Sequence, residues 1–281
     1  GIRIKTYGSG NIHDVDISNN RIIGRTIPVK SSCYTKISGI TNYIIDSDPA
    51  VNPNPSNISI HGNTVKVYTD DYRHQHAVAY TAGPNADISG NTFASNHIVI
   101  DMSNADDGVA LNSRMVSNTL EKLPGSDGFN TLRFGYGRPS GSTFVDTRVG
   151  GGASLKDMLF TRTYLTPADF NVSWLLTVKV INPQGNSVFG ASVNLRDRNG
   201  ASISTRKTDV SGEARFELKE YTCFYDKEVR CEYSSPYEAR VSAEGFPERR
   251  ENITLSQSTE RIVTMGSSVK VVNAPYNLQV K

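Results

Sequence analysis

One phrase recurs through the first half of this chain, and repetition restricts a fold more than composition does. Val15-Asp16-Ile17-Ser18-Asn19-Asn20-Arg21-Ile22 returns as Ile58-Ser59-Ile60-His61-Gly62-Asn63-Thr64-Val65 and as Ala86-Asp87-Ile88-Ser89-Gly90-Asn91-Thr92-Phe93. Shorter copies follow at Met115-Val116-Ser117-Asn118-Thr119-Leu120 and Gly141-Ser142-Thr143-Phe144-Val145. Taking Asn20, Asn63, Asn91 and Asn118 as equivalent gives steps of 43, 28 and 27 residues, with Ser142 another 24 residues on.

A period of roughly 25 residues fits one turn of a parallel β-helix, in which each coil adds a short strand to each of several parallel sheets. Asparagine suits the bends because it tolerates the left-handed region and its amide bonds to backbone and to the asparagine of the next coil. Ile17, Ile60, Ile88 and Val116 are expected to form one interior stack, and Ile22, Val65, Phe93 and Leu120 a second. The Pro-rich stretch from Asp46 to Pro55 supplies an outward loop for the 43-residue step. The leucine pattern of leucine-rich repeats is absent, and a propeller blade requires a longer, more regular period.

After Gly150-Gly151-Gly152-Ala153 the phrase is lost, and a closing segment is expected over residues 151–171. From Val172 short alternating segments and turns arrive at sandwich-like intervals: Trp174–Ile181, Ala191–Arg196, Glu213–Leu218, Tyr237–Ala243 and Glu260–Met265. Asn199-Gly200 signals a type I′ hairpin leading to Ile203. Asp209 in Thr208-Asp209-Val210-Ser211-Gly212 suits a turn cap better than a calcium loop, which needs more clustered oxygen ligands. With Val188-Phe189-Gly190-Ala191 and Ala243-Glu244-Gly245-Phe246, residues 172–266 resemble the carboxypeptidase-regulatory-like β-sandwich modules. That resemblance implies a transthyretin-like or immunoglobulin-like topology without chemistry of its own.

The expected fold is therefore all-β: right-handed parallel β-helix coils over 1–150, a cap and linker over 151–171, and a small antiparallel β-sandwich over 172–281. A net charge of +2 provides no field that selects nucleic acid, and no stretch of 18 apolar residues exists to insert in a membrane. The three cysteines do not have zinc-site spacing, so neither a metal nor a cofactor is expected. Cys223 and Cys231 flank a possible hairpin turn, which leaves a disulfide and two reduced thiols as open alternatives. Asn57, Asn171 and Asn252 head glycosylation-acceptor triplets, consistent with export.

The opening Gly1-Ile2-Arg3-Ile4-Lys5-Thr6, with Gly8-Ser9-Gly10-Asn11-Ile12 after it, resembles the family 28 glycoside hydrolases, the polygalacturonase group. Ile27-Pro28-Val29-Lys30 and Tyr34 extend the likeness to about residue 40. The resemblance implies a right-handed β-helix, a pectic polysaccharide as substrate, and substrate contacts from Arg3, Lys5 and Tyr34. Arg3 and Lys5 are two apart on a strand, so they share a face. The family's catalytic carboxylates and histidine lie upstream of the Arg-Ile-Lys motif, so they have no counterpart in this sequence.

The substitute catalytic candidates are Asp106 and Asp107, and His74 in Asp71-Tyr72-Arg73-His74-Gln75-His76. Adjacent carboxylates on a strand face opposite ways, whereas inverting hydrolysis sets two carboxyls roughly 6.5–9.5 Å apart. The expected protein is secreted or on the cell surface and engages polysaccharide or a cell-surface glycan. Further β-helix coils upstream are its expected partner and would carry any hydrolase or lyase chemistry. The competing expectation is a noncatalytic adhesin or assembly protein that uses the solenoid as a rigid scaffold.

Overall fold

The structure, a computed structural model, describes residues 1–6, 13–26, 35–44, 56–70, 75–102, 112–126, 128–135, 139–160, 168–225 and 228–267. They hold strands and turns, with no helix among them. Two compact units are present: Gly1–Trp174 with Lys219–Tyr233, and Leu175–Leu218 with Ser234–Lys281.

In the first unit the chain makes repeated passes of three strands. They are β1 (Ile2–Thr6), β2 (His13–Ser18) and β3 (Arg21–Arg25); β4 (Thr35–Ile44), β5 (Ser56–His61) and β6 (Thr64–Tyr68); β7 (Gln75–Thr81), β8 (Ala86–Ser89) and β9 (Thr92–Ser95). Then come β10 (Ile98–Asp101), β11 (Arg114–Val116) and β12 (Thr119–Lys122); β13 (Leu132–Phe134), β14 (Ser142–Val145) and β15 (Arg148–Gly150); and β16 (Met158–Phe160) with the start of β17 (Ala168–Ile181). The first members of each pass form one sheet, the second members another and the third members a third. Pairing within them is parallel. The chain is thus all-β with parallel sheets, an arrangement compatible with a β-helix-like fold.

The repeat phrase is the register. Ile17, Ile60 and Ile88 are consecutive partners, and so are Ile22, Val65, Phe93 and Leu120. The fourth member of the first column is Met115, however, not Val116. Met115 is 1% exposed and the column continues through Phe144 and Val172. Val116, one residue on, takes the opposite side of the strand and pairs with Ser89. Each fully buried side chain in these columns contributes roughly 1.5–3 kcal/mol. Close approach of the first and third sheets accounts for Gly39: a Cβ there would lie 2.1 Å from Val65 Cγ1 and 2.5 Å from Ala79 O.

An asparagine ladder closes the corner between the second and third sheets. Asn20 Nδ2 donates to Asn63 Oδ1 at 3.0 Å, Asn63 Nδ2 to Asn91 Oδ1 at 2.9 Å, and Asn91 Nδ2 to Asn118 Oδ1 at 3.0 Å. The same Oδ1 atoms accept the backbone N–H of the preceding ladder asparagine at 2.9 Å. The left-handed residue is the one before each ladder position: Asn19, Gly62, Gly90, Ser117 and Asp146 all have φ between 49° and 65°. Five residues upstream lies a second left-handed series, Asp14, Asn57, Asn85, Asn112 and Gly141. The fifth ladder position is Thr147, which follows Asn118 because Thr119 pairs with Arg148. Ser142 instead lies next to Ser113, whose N–H it accepts at 3.4 Å, so the 24-residue step misplaced the corner.

The parallel ladders outlast the phrase, for β16 pairs β13 and Phe170–Ser173 of β17 pairs β14. The remainder of the first unit is a hairpin from the later part of β20 (Glu213–Tyr225) and β21 (Val229–Tyr233), in which Cys223 and Cys231 are directly opposed and bonded. Phe134 stacks on Phe160 at 4.6 Å between ring centroids and Phe160 on Tyr225 at 4.8 Å. Lys156 Nζ lies 5.3 Å and 5.2 Å from the rings of Tyr221 and Tyr233. Replacing both Cys223 and Cys231 with alanine is expected to lower the first unit's stability by about 2–3 kcal/mol, given the short loop enclosed. Urea unfolding followed by the fluorescence of Trp174, the single tryptophan, reads this directly.

The second unit contains β18 (Ser192–Arg196), β19 (Ser202–Lys207), β22 (Tyr237–Ser242), β23 (Arg249–Ile253) and β24 (Thr259–Thr264). The first four form an antiparallel sheet in the order β19-β18-β22-β23. β24 runs parallel to Leu176–Ile181, so the unit is not wholly antiparallel. The cause is connectivity: β24 arrives from another sheet through residues 254–258, with no hairpin to reverse it. Alternating Val193 and Leu195, Ala214, Phe216 and Leu218, and Ala239 and Val241 are buried. The Asn199-Gly200 loop is not type I′, because only Gly200 has positive φ (83°). Asp197 organises it, accepting the N–H groups of Asn199 and Ala201 at 2.9 Å. Asp209 caps its turn likewise, accepting Ser211 Oγ at 2.6 Å and the N–H of Ser211 and Glu213.

Candidate functional site

The three corners of the repeating unit are not alike. Between the second and third sheets each connection is two residues, 19–20, 62–63, 90–91, 117–118 and 146–147. From the third sheet to the first the connections vary from residues 96–97 to residues 26–34, and from the first to the second from 82–85 to 102–113. Variable connections therefore flank the first sheet on both sides, and in solenoids such insertions gather on the binding face.

That sheet also carries a polar row. Arg3, Thr41, Thr81, Asp101 and Arg133 are consecutive register partners across β1, β4, β7, β10 and β13. At about 4.8 Å per strand the two arginines stand roughly 19 Å apart. Arg3 is exposed, whereas Asp101 is buried and gripped by both arms of Arg133, with Nε to Oδ1 at 3.2 Å and NH2 to Oδ2. Thr81 Oγ1 is buried with no hydrogen-bond partner among the described residues.

Beside this row lies a ring cluster. His97 is 4.8 Å from His76 and 4.2 Å from Phe129, centroid to centroid. Burial pushes the His97 imidazolium down to about 4, helped by repulsion from His76 and Arg133 and opposed by Asp101. His97 is thus a neutral ring at neutral pH. A second carboxylate, Asp157, accepts Lys122 Nζ at 2.7 Å, Asn130 Nδ2 at 2.7 Å, and Thr131 N and Oγ1 at 2.8 and 2.9 Å. Its burial opposes ionisation, but these donors outweigh burial and hold it below the usual carboxylate range. Asp157 is thus held as an anion that orients Lys122 and the backbone of Thr131, while Asp101 orients Arg133.

Of the residues singled out from sequence, Arg3 is an exposed member of the polar row. Lys5 is on β1 opposite Tyr43, with its side chain outside the described set. Tyr34, His74, Asp106 and Asp107 lie outside the described residues; in sequence they precede β4, precede β7 and fall between β10 and β11. Asp101, Arg133, His97 and Phe129 were not singled out. Asp101 and Arg133 are 32 residues apart, and with connections this uneven no spacing rule pairs them. Among the described residues no group of three or more His, Cys, Asp or Glu side chains is arranged to hold a metal.

No protein-family model matches the chain, and no curated protein matches it. Among solved structures it is similar to the Bacillus anthracis TIE protein, at 15% identity over 39% of this chain and 18% of that one, with a TM-score of 0.28.

Proposed function

We propose that the chain is part of an extracellular right-handed parallel β-helix protein, with an immunoglobulin-like or transthyretin-like β-sandwich, that holds an acidic polysaccharide along the first sheet. The observation carrying this reading is the convergence at the first sheet of variable connections on both sides, the exposed Arg3 at one end of the polar row, and the His76–His97–Phe129 cluster next to β7 and β10. Guanidinium groups suit sugar carboxylates and rings suit sugar faces. Right-handedness rests on the general rule for parallel crossovers, and export on the Cys223–Cys231 bond. Among the described residues β1, β2 and β3 are end strands of their sheets, each with an open edge.

Titration calorimetry with oligogalacturonate tests this. Binding is expected without release of reducing ends, weakened about tenfold in Arg3→Ala, a loss of roughly 1.4 kcal/mol. Equal affinity for a neutral oligosaccharide, or an unaffected Arg3→Ala, would reject it. The second reading, a noncatalytic surface or adhesin scaffold, is favoured by the continuous asparagine ladder and the open edges. It would be supported by self-association through β1–β3 in the absence of sugar.

A further inference from the structure

On the outer side of the second unit's four-stranded sheet, Arg240 of β22 stands directly opposite Arg250 of β23, and Asn194 of β18 is its partner on the other side. Like charges in direct register destabilise an antiparallel pair. Glu238 contacts Arg240 and Glu248 contacts Arg250 at 2.9 Å, yet Arg196 adds a further cation to the same face. Arg196 is held by neutral acceptors, with Nε on Asn194 Oδ1 at 3.2 Å and NH1 on Gly200 O at 2.9 Å. Arg196 also stands directly opposite Glu238 in register, but that one carboxylate faces Arg196, Arg240 and Arg250 together, so the face keeps an excess of guanidinium charge. Asp197, the nearest acid in the loop, is committed to the N–H groups of Asn199 and Ala201. Arg196, Arg198, Arg240 and Asn252 line a cleft of about 280 Å³ together with Asp197 and Glu238.

We infer that this cleft is an anion site that takes a carboxylate or sulfate group of an acidic polymer. An anion bridging Arg196 and Arg240, which both line the cleft, would offset the like-charge opposition that Arg250 imposes on Arg240 from the next strand. Fixed, planar guanidinium forks match the geometry of such oxyanions better than mobile lysines do. The site lies within the second unit and does not depend on the polysaccharide reading of the first sheet.

The test uses the whole chain with polygalacturonate, dextran sulfate and neutral dextran as probes, at low and raised salt. Tighter binding of the two anionic polymers than of neutral dextran, at least tenfold and falling with salt, is expected. The stronger of the two identifies the anion. Arg196→Gln with Arg240→Gln should lose that margin, while Arg3→Ala leaves this contribution in place. Arg250→Gln should weaken binding without lowering the melting temperature, because it removes a like-charge neighbour; a purely structural arginine would lower it. Loss of binding in Arg3→Ala but not in the Arg196/Arg240 variant would overturn the inference and leave the first-sheet reading intact. Indifference of all three polymers to the Arg196/Arg240 substitutions would overturn it as well.

Discussion

Asn91→Ala is expected to destabilise the first unit by about 3–5 kcal/mol, far more than the same change at Asn20. Asn91 is 1% exposed and its amide serves two neighbours at once. Oδ1 accepts from Asn63 N and Nδ2, both at 2.9 Å, while Nδ2 donates to Ile60 O at 2.8 Å and to Asn118 Oδ1 at 3.0 Å. Alanine would orphan a buried backbone N–H, remove a partner from a buried carbonyl and leave a void in the corner. Asn20 is at the end of the ladder and half-buried, so water replaces much of what Asn20→Ala removes, at a cost of about 1 kcal/mol. Urea titrations of both variants, read by Trp174 fluorescence, give the ratio. Comparable losses at the two positions would mean that the ladder is not cooperative with the core.

Phe134→Ala is the second large effect, expected at about 3–5 kcal/mol. Phe134 is fully buried, stacked on Phe160 at 4.6 Å and on Phe170 at 5.3 Å, and so joins three strands from two successive passes of the chain. Removing the ring deletes its transfer free energy and opens a cavity that neighbours from separate strands cannot fill together. Leu159 alternates to the other side of β16 and is 45% exposed, so Leu159→Ala should cost well under 1 kcal/mol. The same denaturation assay separates them, and equal midpoints would place Phe134 outside the core.

What the sequence made legible follows from what repeats. The asparagine phrase located the ladder and two apolar columns, because a stacked coil imposes the same bend and the same inward positions at each pass. Its weaker copies were misread by one residue at Met115 and by five at Thr147, since a threonine can end the ladder and leave no asparagine to align. Pairings across the first sheet were not legible, because the connections that separate Asp101 from Arg133 obey no period. The arginine face of the second unit was hidden for a similar reason: Arg196, Arg240 and Arg250 meet only through antiparallel register. The Cys223–Cys231 pairing was visible as a possibility, and the opposed register of β20 and β21 closes it.

Stacking of successive passes in one register is the claim on which the rest depends, and paired cysteines measure it most directly. In a Cys33→Ser background, Ser59→Cys and Asp87→Cys occupy directly paired positions on β5 and β8. Ser59→Cys with Arg114→Cys spans two steps instead, about 10 Å, beyond the roughly 6.8 Å that a disulfide bridges. Under mild oxidation, mass spectrometry of non-reduced peptides should show nearly complete 59–87 linkage and almost none between 59 and 114. Absence of the 59–87 bond, or equal yield from the two pairs, would contradict the stacked arrangement and remove the first-sheet site with it.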